Sequence, residues 1–198
     1  MKRREALKNI GLTTGFFIAT PSVISLLQSC TAATNNWTPV FLTVEEGVVL
    51  TKLVDIILPK TDIPSATEVN VPQFIDKYVN EVMEDEQQAQ VKTAFGNILS
   101  VLKANPEDDI NTLKEDDYKA LLDNHMLLRG ETDSEREANP DSKDMTKSEF
   151  LNQLKWSAIH AYRISEEVGE HVLAYDPIPG AYYCGDLQEL TGGKAWSL

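Results

Sequence analysis

The chain has 198 residues, enough for one globular domain and too few for two of ordinary size. Its 31 acids outnumber its 18 bases, and the formal net charge of -13 would repel phosphate backbones, so nucleic acid is not an expected partner. The two cysteines, Cys30 and Cys184, are too few for a disulfide framework or a four-cysteine metal site.

The first 29 residues have the architecture of an export signal: a basic start, then an uncharged stretch from Asn9 to Ser29. The adjacent Arg3 and Arg4 resemble the twin-arginine motif of signals that export folded proteins. An uncleaved membrane helix from Ile10 to Leu27 is the alternative, but its length is borderline for spanning a membrane and Pro21 interrupts it. We therefore expect a signal peptide over residues 1–29.

Residues 27–30, with the sequence LQSC, resemble a bacterial lipobox, in which the cysteine receives a diacylglycerol group and the chain is cut just before it. Cys30 is thus the expected lipidation site. Cleavage there removes four bases and one acid, which takes the net charge from -13 to -16. Residues 30–40 are expected to form a flexible tether and residues 41–198 a folded domain, lipid-anchored on the periplasmic side of a membrane.

Helical patterns follow the tether in chain order. Thr43 and Glu46 have capping-box spacing and open a helix that Pro59 ends. Pro72 suits the start of a second helix. The predicted buried stripe of this second helix consists of Phe74, Ile75, Tyr78, Val79 and Val82. The predicted stripe of a third helix consists of Val91, Phe95, Ile98, Leu99 and Leu102.

Two further pairs with capping-box spacing, Thr112 with Glu115 and Thr146 with Glu149, predict the starts of two more helices. The segment from Gly130 to Asp144 lies between them. It is charged and nearly devoid of apolar residues, so we expect an exposed loop there.

A last helical piece is predicted around Glu166 to Leu173, before a tail rich in proline, glycine and aromatic residues. No alternating strand pattern or internal repeat occurs in the sequence. The predicted fold is therefore all-α: a single domain of five or six helices around one core, with an irregular carboxyl-terminal tail.

No recognisable redox or catalytic motif occurs in the sequence. The paired glycines Gly192 and Gly193 lack the flanking strand and helix of a dinucleotide-binding turn, and no Cys-x-x-Cys-His motif for covalent haem is present. His160 and His171 are too far apart along one helix to chelate one ion. We therefore assign no catalytic, cofactor-binding or metal-binding residue.

Residues 56–66, IILPKTDIPSA, and residues 71–76, VPQFID, resemble the small subunits of membrane-bound flavoprotein dehydrogenases, the gluconate 2-dehydrogenase subunit 3 family. The closing segments YDPIPG at 175–180 and GGKAWS at 192–197 resemble the end of that family's sequences. Ser65 and Asn70 stand where glycine is common in the family, and Asn tolerates a left-handed backbone.

The resemblance implies a non-catalytic accessory subunit. In that family a large subunit binds FAD and oxidises the CH–OH groups of a sugar or polyol, and a cytochrome c subunit often collects the electrons. The small subunit supplies the export signal, folding support and membrane attachment, so FAD is expected in the partner and no cofactor in this chain. Two rival interpretations are a stand-alone structural lipoprotein and an oxidoreductase with an unrecognised cofactor site.

Two segments are candidates for contact with the partner. The loop between the first two helices is stiffened by Pro59, Pro64 and Pro72, so it either presents a fixed surface or simply connects the helices. In the tail, Tyr182 and Tyr183 are expected at the interface.

Cys184 is the remaining cysteine of the mature chain. It has two interpretations, a disulfide with the flavoprotein subunit or a buried thiol that packs as a small apolar side chain.

Overall fold

The computed structural model describes residues 37–105, 107–128, 130–176 and 185–197. The predicted signal with Arg3 and Arg4, the lipidation site Cys30, and the tail residues Tyr182, Tyr183 and Cys184 lie outside this part of the chain and stay predictions. The described residues from Thr38 onward belong to one compact unit. Within the described ranges, no helix combines the length and the apolar character needed to cross a membrane.

Five α-helices of eleven or more residues build the described part of the chain: α1 Val44–Ile57, α2 Val71–Glu81, α3 Asp85–Leu102, α4 Glu115–His125 and α6 Lys147–Arg163. The shorter elements are a 3₁₀ turn at Ile110–Thr112, α5 at Ser134–Ala138, a π-helix at Glu167–Val172 and α7 at Leu187–Thr191. One parallel β-bridge joins Ala174 to Trp196. These elements confirm the all-α prediction.

Local capping explains where the first and last long helices begin. Thr43 and Glu46 form the predicted capping box of α1: Thr43 N donates to Glu46 Oε2 at 2.7 Å, and Glu46 N donates to Thr43 Oγ1 at 3.2 Å. Thr146 and Glu149 form the same pair of hydrogen bonds at the start of α6. These hydrogen bonds confirm both predictions. Such boxes are predictable from sequence because the two partners are only three residues apart.

The predicted box of Thr112 with Glu115 is wrong. Thr112 ends the 3₁₀ turn, where its Oγ1 donates to the carbonyl oxygen of Asp109 at 2.7 Å. The helix α4 begins three residues later, and Asp117 Oδ2 accepts from Lys114 N at 2.8 Å. The hydroxyl group of Thr112 is thus used by the preceding turn and does not cap α4.

The core is centred on α1, whose Val49, Leu50, Leu53 and Val54 are completely buried. This helix contacts α2, α3, α4 and α6. Between α3 and α6, the rings of Phe95 and Phe150 meet edge to face with 4.9 Å between their centroids.

On α3, the predicted buried residues Val91, Phe95 and Ile98 lie in the core, while Leu99 and Leu102 are half-buried. On α2, Ile75 and Val79 are buried as predicted. The prediction is wrong for Phe74, Tyr78 and Val82, which are exposed. The second helix therefore carries two apolar rows, and the described part of the chain covers only one of them.

Two segments near the end of the domain differ from the sequence-based expectation. The segment from Gly130 to Asp144 is exposed to half-buried, but it contains the short helix α5, because Asp133 accepts hydrogen bonds from Glu135 N and Arg136 N and caps it. The last helical piece, predicted around Glu166 to Leu173, is a π-helix over Glu167–Val172.

A buried carboxylate fixes the start of the domain against α2. Asp76 has no exposed surface, and its two oxygens accept hydrogen bonds from the backbone N–H groups of Val40, Phe41 and Leu42 at 2.7, 3.1 and 2.9 Å. Lys92 on α3 donates to the carbonyl oxygen of Phe41 at 2.9 Å. Two helices thus hold the three residues that precede Thr43, the cap of α1.

Candidate functional site

The main candidate site is a groove between α2 and α6, and its first wall is the uncovered row of α2. Phe74, Tyr78 and Val82 follow one another at intervals of four residues and so lie along one face of the helix. Their exposed fractions are 42%, 45% and 61%. The rings of Phe74 and Tyr78 stack with 6.2 Å between their centroids and 19° between their planes. The two aromatic side chains therefore form a continuous flat surface.

The second wall comes from α6, which packs directly beside α2. Trp156 is 64% exposed, a large fraction for the largest of the aromatic side chains. His160 and Ile164 follow it at intervals of four residues and are also exposed. Lys155 holds its ammonium group 5.6 Å from the centroid of the Trp156 ring, which adds a cation–π contact at this edge.

A hollow of about 510 Å³ lies between the two walls. Buried Ile75 and Val79 line it together with the half-buried Met83 and Ile159. The lining also includes Arg163 and His160 but no carboxylate group. The hollow is therefore mainly apolar, and its only basic groups are one guanidinium and one imidazole.

A second hollow of about 390 Å³ adjoins the first, and Phe74 lines both. It lies at the amino-terminal end of α2, beside Ala161 and Ile164 near the end of α6. Met83, at the other end of α2, lines the first hollow together with Trp156. The two helices are therefore antiparallel, and the two hollows form one groove along the length of α2.

The proline-containing loop from Pro59 to Pro72 joins α1 to α2 and is firmly held. Tyr162 on α6 donates its hydroxyl proton to the carbonyl oxygen of Pro64 at 2.6 Å. Burial of this hydroxyl group, with a smaller contribution from nearby Glu68, raises the pKa of Tyr162. The backbone N–H of Thr67 donates to Asp55 on α1 at 2.9 Å.

The two departures from the family pattern fit the loop in different ways. Asn70 has a left-handed backbone with φ of 59°, as its tolerance of that conformation allows. Ser65 is buried, and its N–H donates to Glu68 Oε2 at 2.8 Å. Hydrogen bonds from Lys60 and then from this N–H lower the pKa of Glu68. The turn around Ser65 is thus stabilised by side chains and does not require glycine.

The three prolines predicted at the interface lie in different environments. Pro59 is exposed, Pro64 is half-buried, and Pro72 is buried at the start of α2. The loop is continuously exposed from Pro59 to Ile63. Val69 and Asn70, which directly precede α2, line the second hollow. The loop therefore continues into the groove at one end.

The histidines do not form a metal site in the described part of the chain, where no group of three or more His, Cys, Asp or Glu side chains is placed to hold an ion. His125 is half-buried on α4, and burial, followed by the charge of Lys147, lowers its pKa. His160 lines the groove, and His171 lies 3.6 Å from Glu167 on the surface of the π-helix.

The groove was missed in the sequence, although a signal was present. Five apolar residues on the eleven-residue helix α2 and its cap were assigned to one buried stripe, yet Phe74, Tyr78 and Val82 form a separate row beside Ile75 and Val79. A stripe this wide on a short helix indicates contact on two sides. Trp156 lies outside the buried face of α6, so the apolar periodicity of that helix does not include it.

Comparison with known protein families gives one match. Residues 44–180 match the family model for gluconate 2-dehydrogenase subunit 3. No curated protein and no solved structure matches the chain. The matched range contains α1 to α6, the proline-containing loop and both walls of the groove. The chain belongs to the gluconate 2-dehydrogenase subunit 3 family, and the family name makes it an accessory subunit of a multi-subunit dehydrogenase complex.

Proposed function

We propose that this chain is the non-catalytic small subunit of a membrane-associated, FAD-dependent dehydrogenase that acts on the CH–OH groups of a sugar or polyol. It binds the flavoprotein large subunit, supports its folding and carries the signal for its export. FAD resides in the large subunit, and a cytochrome c subunit completes the complex. A lipid on Cys30 attaches the assembly to the periplasmic side of a membrane.

The observation that carries this proposal is the groove between α2 and α6. Trp156, Phe74 and Tyr78 together expose large aromatic side chains along one continuous surface of the domain. Clusters of this kind on soluble proteins mark interaction sites, and aromatic side chains at the centre of an interface contribute much of its binding free energy. Family membership supports the proposal because a subunit of a complex requires such a surface.

Purification of the complex tests the proposal. The full-length chain would be tagged at its carboxyl terminus in its native host, extracted from membranes with mild detergent and purified, and the flavin absorbance recorded. We expect a larger flavoprotein in equal proportion, with the flavin on that chain. A colourless, solitary protein recovered with its tag intact would contradict the proposal.

The substitution Trp156→Ala tests the groove in the same experiment. Loss of a central aromatic side chain is expected to weaken binding of the flavoprotein by at least about tenfold. Leu128→Ala is the matched control, because Leu128 is 73% exposed and lines neither hollow. Equal recovery of the flavoprotein with both variants would place the interface on another face.

A further inference from the structure

The shape of the groove suits an α-helix. Its walls are rows of residues at four-residue spacing on two antiparallel neighbours, Phe74, Tyr78 and Val82 on one side and Trp156, His160 and Ile164 on the other. A third helix packs its own side chains between two such rows. Helix α2 has eleven residues and is about 16 Å long, so three turns of a partner helix would fill the groove.

A small-molecule ligand fits the groove less well. Pockets for small molecules are concave and bury most of the ligand surface. Here the rim side chains Phe74, Tyr78 and Trp156 are themselves exposed to solvent by 42% or more. An occupant must therefore cover these side chains from outside, as the face of another protein element does.

The charges along the groove differ from those of the rest of the domain. The first hollow contains Arg163 and His160 and no carboxylate group, although acids outnumber bases 31 to 18 in the chain. Lys155 lies at the edge beside Trp156. Lys77 and Glu166 line the second hollow. The single acid that lines the groove therefore lies at the end beside the amino terminus of α2.

The positive side chains of the groove also lack acidic partners among the described residues, whereas most of the described bases elsewhere have one. Among the described residues, seven bases outside the groove form ion pairs with acids: Lys60, Lys92, Lys103, Lys119, Arg136, Lys143 and Lys147. Arg163, Lys77 and Lys155 form no ion pair with a described residue. Arg163 is half-buried, where a guanidinium group favours a carboxylate that can accept two parallel hydrogen bonds.

Given the assembly with a flavoprotein proposed for this chain, we infer that the groove holds a helix of the flavoprotein subunit that presents large apolar side chains on one face and a carboxylate group to Arg163. The apolar side chains pack between the rows of Phe74 and Trp156, and Lys77 and Lys155 attract further acids at either end. An acidic helix is repelled by most of the domain surface, so the charges also favour this docking site over others.

Charge reversal at Arg163 tests the inference in the tagged, full-length complex. We expect Arg163→Glu to reduce the recovered flavoprotein at least about tenfold, because a buried pair of like charges replaces an ion pair. Lys52→Glu on α1 is the matched control, since Lys52 is exposed, has no ion pair with a described residue and lines neither hollow. This control changes the net charge by the same amount and is expected to leave recovery unchanged.

A second variant separates folding from binding. Arg163→Gln removes the charge without placing an acid at the carboxyl-terminal end of α6, where the helix dipole disfavours one. Its thermal unfolding, followed by circular dichroism, should match that of the unchanged chain, while flavoprotein recovery falls by a smaller factor than with Arg163→Glu. Unchanged recovery with both variants, or an equal loss with Lys52→Glu, would overturn the inference. Neither result would affect the proposed function as long as the unchanged chain brings down a flavoprotein.

Cross-linking identifies the occupant directly. A zero-length carbodiimide reagent joins an amine to a carboxylate in contact with it, and peptide mass spectrometry locates the bond. Cross-links from Lys77 or Lys155 to Asp or Glu residues on one helix of the flavoprotein are expected. Replacing the carboxylate nearest to Arg163 with Lys should then restore the recovery lost by Arg163→Glu. Cross-links from these lysines to a second copy of this chain would overturn the inference and assign the groove to self-association.

Discussion

Asp76 shows how a single buried charge can fix the beginning of a domain. Its carboxylate has no exposed surface and accepts hydrogen bonds from three consecutive backbone N–H groups, those of Val40, Phe41 and Leu42, in the segment that leads into α1. Three such hydrogen bonds compensate for the removal of the charge from water. The segment from Val40 to Leu42 is thereby held against α2, although it belongs to no helix.

The substitution Asp76→Asn is expected to destabilise the protein by on the order of 2 to 3 kcal/mol. The amide group keeps one acceptor oxygen, but its NH₂ group would face a backbone N–H and leave that donor buried without a partner. Urea unfolding of the purified chain, followed by circular dichroism, measures the difference. Asp123→Asn, at an exposed position of α4, is the control. An unchanged unfolding midpoint for Asp76→Asn would contradict this account.

The role of Asp76 has no signature in the sequence. Its partners lie 34 to 36 residues away, and their N–H groups belong to the backbone, so no residue type in that segment indicates the contact. The same holds for Lys92, whose ammonium group is 4.7 Å from the centroid of the Phe41 ring and 3.0 Å from Glu46. Such contacts depend on how the helices pack, and local patterns do not contain that information.

At the scale of elements, Arg136 ties the charged segment before α6 to that helix. Its guanidinium group donates to Glu149 at 3.0 and 2.5 Å, and also to the carbonyl oxygens of Ser142 at 2.6 Å and Asp144 at 2.9 Å. The hydrogen bond from Arg136 is the main reason that the pKa of Glu149 is lowered. The segment therefore has a fixed course in spite of its exposure.

This ion pair predicts a pH dependence of stability. Because the pKa of Glu149 is lowered on folding, the folded protein binds fewer protons at this site than the unfolded chain. Its contribution is present above the usual pKa of 4.5 and is lost as the pH falls through the lowered value. We expect Glu149→Gln to be less stable than the unchanged chain at neutral pH, by under about 1 kcal/mol for so exposed a pair.

The difference between the two proteins should shrink as the pH falls below 4.5. Glutamine still accepts from Thr146 N, so the substitution tests the charge and leaves the cap in place. Urea unfolding at a series of pH values measures the effect. Glu137→Gln in the exposed segment is the control. A difference that stays constant down to acidic pH would show that the charge of Glu149 does not matter.

The helices could be predicted where their signals are local. The boxes at Thr43 and Thr146 were found because cap and partner are three residues apart, whereas Thr112 has the same spacing and was assigned wrongly. There the hydroxyl group donates to a preceding carbonyl, a competing local hydrogen bond that the spacing alone does not reveal. The sequence thus predicts that a segment is helical more reliably than it predicts the residue at which the helix begins.

At the scale of the whole molecule, the candidate site was only partly predictable. The sequence indicated the proline-containing loop, which is ordered by Tyr162 and ends at the second hollow. The groove itself requires α2 and α6 to lie side by side, and no pattern in either helix indicates its neighbour. Sequence patterns show that Phe74 and Trp156 are apolar, but only the packing shows that nothing in the described chain covers them.

The predicted export and anchoring can be tested in the native host. Replacing Arg3 and Arg4 together with lysine is expected to keep the tagged chain and its flavoprotein in the cytoplasm, whereas Lys8→Gln, which retains the arginine pair, is the control. Cys30→Ser is expected to leave export signalling intact and abolish incorporation of labelled fatty acid. Fractionation followed by immunoblotting measures export, and the label recovered on the immunoprecipitated chain measures lipidation. Fatty-acid labelling that persists in Cys30→Ser would remove Cys30 as the lipidation site.

The groove also affects how the free subunit behaves before assembly. An exposed row of aromatic side chains favours aggregation, but a chain with a net charge of -13 repels its own copies in solution. At physiological ionic strength this repulsion extends over about 8 Å, and added salt shortens it. Added salt therefore has opposite effects on the two kinds of association. It weakens the charge pairing between the groove and the partner, and it removes the repulsion that keeps free subunits apart.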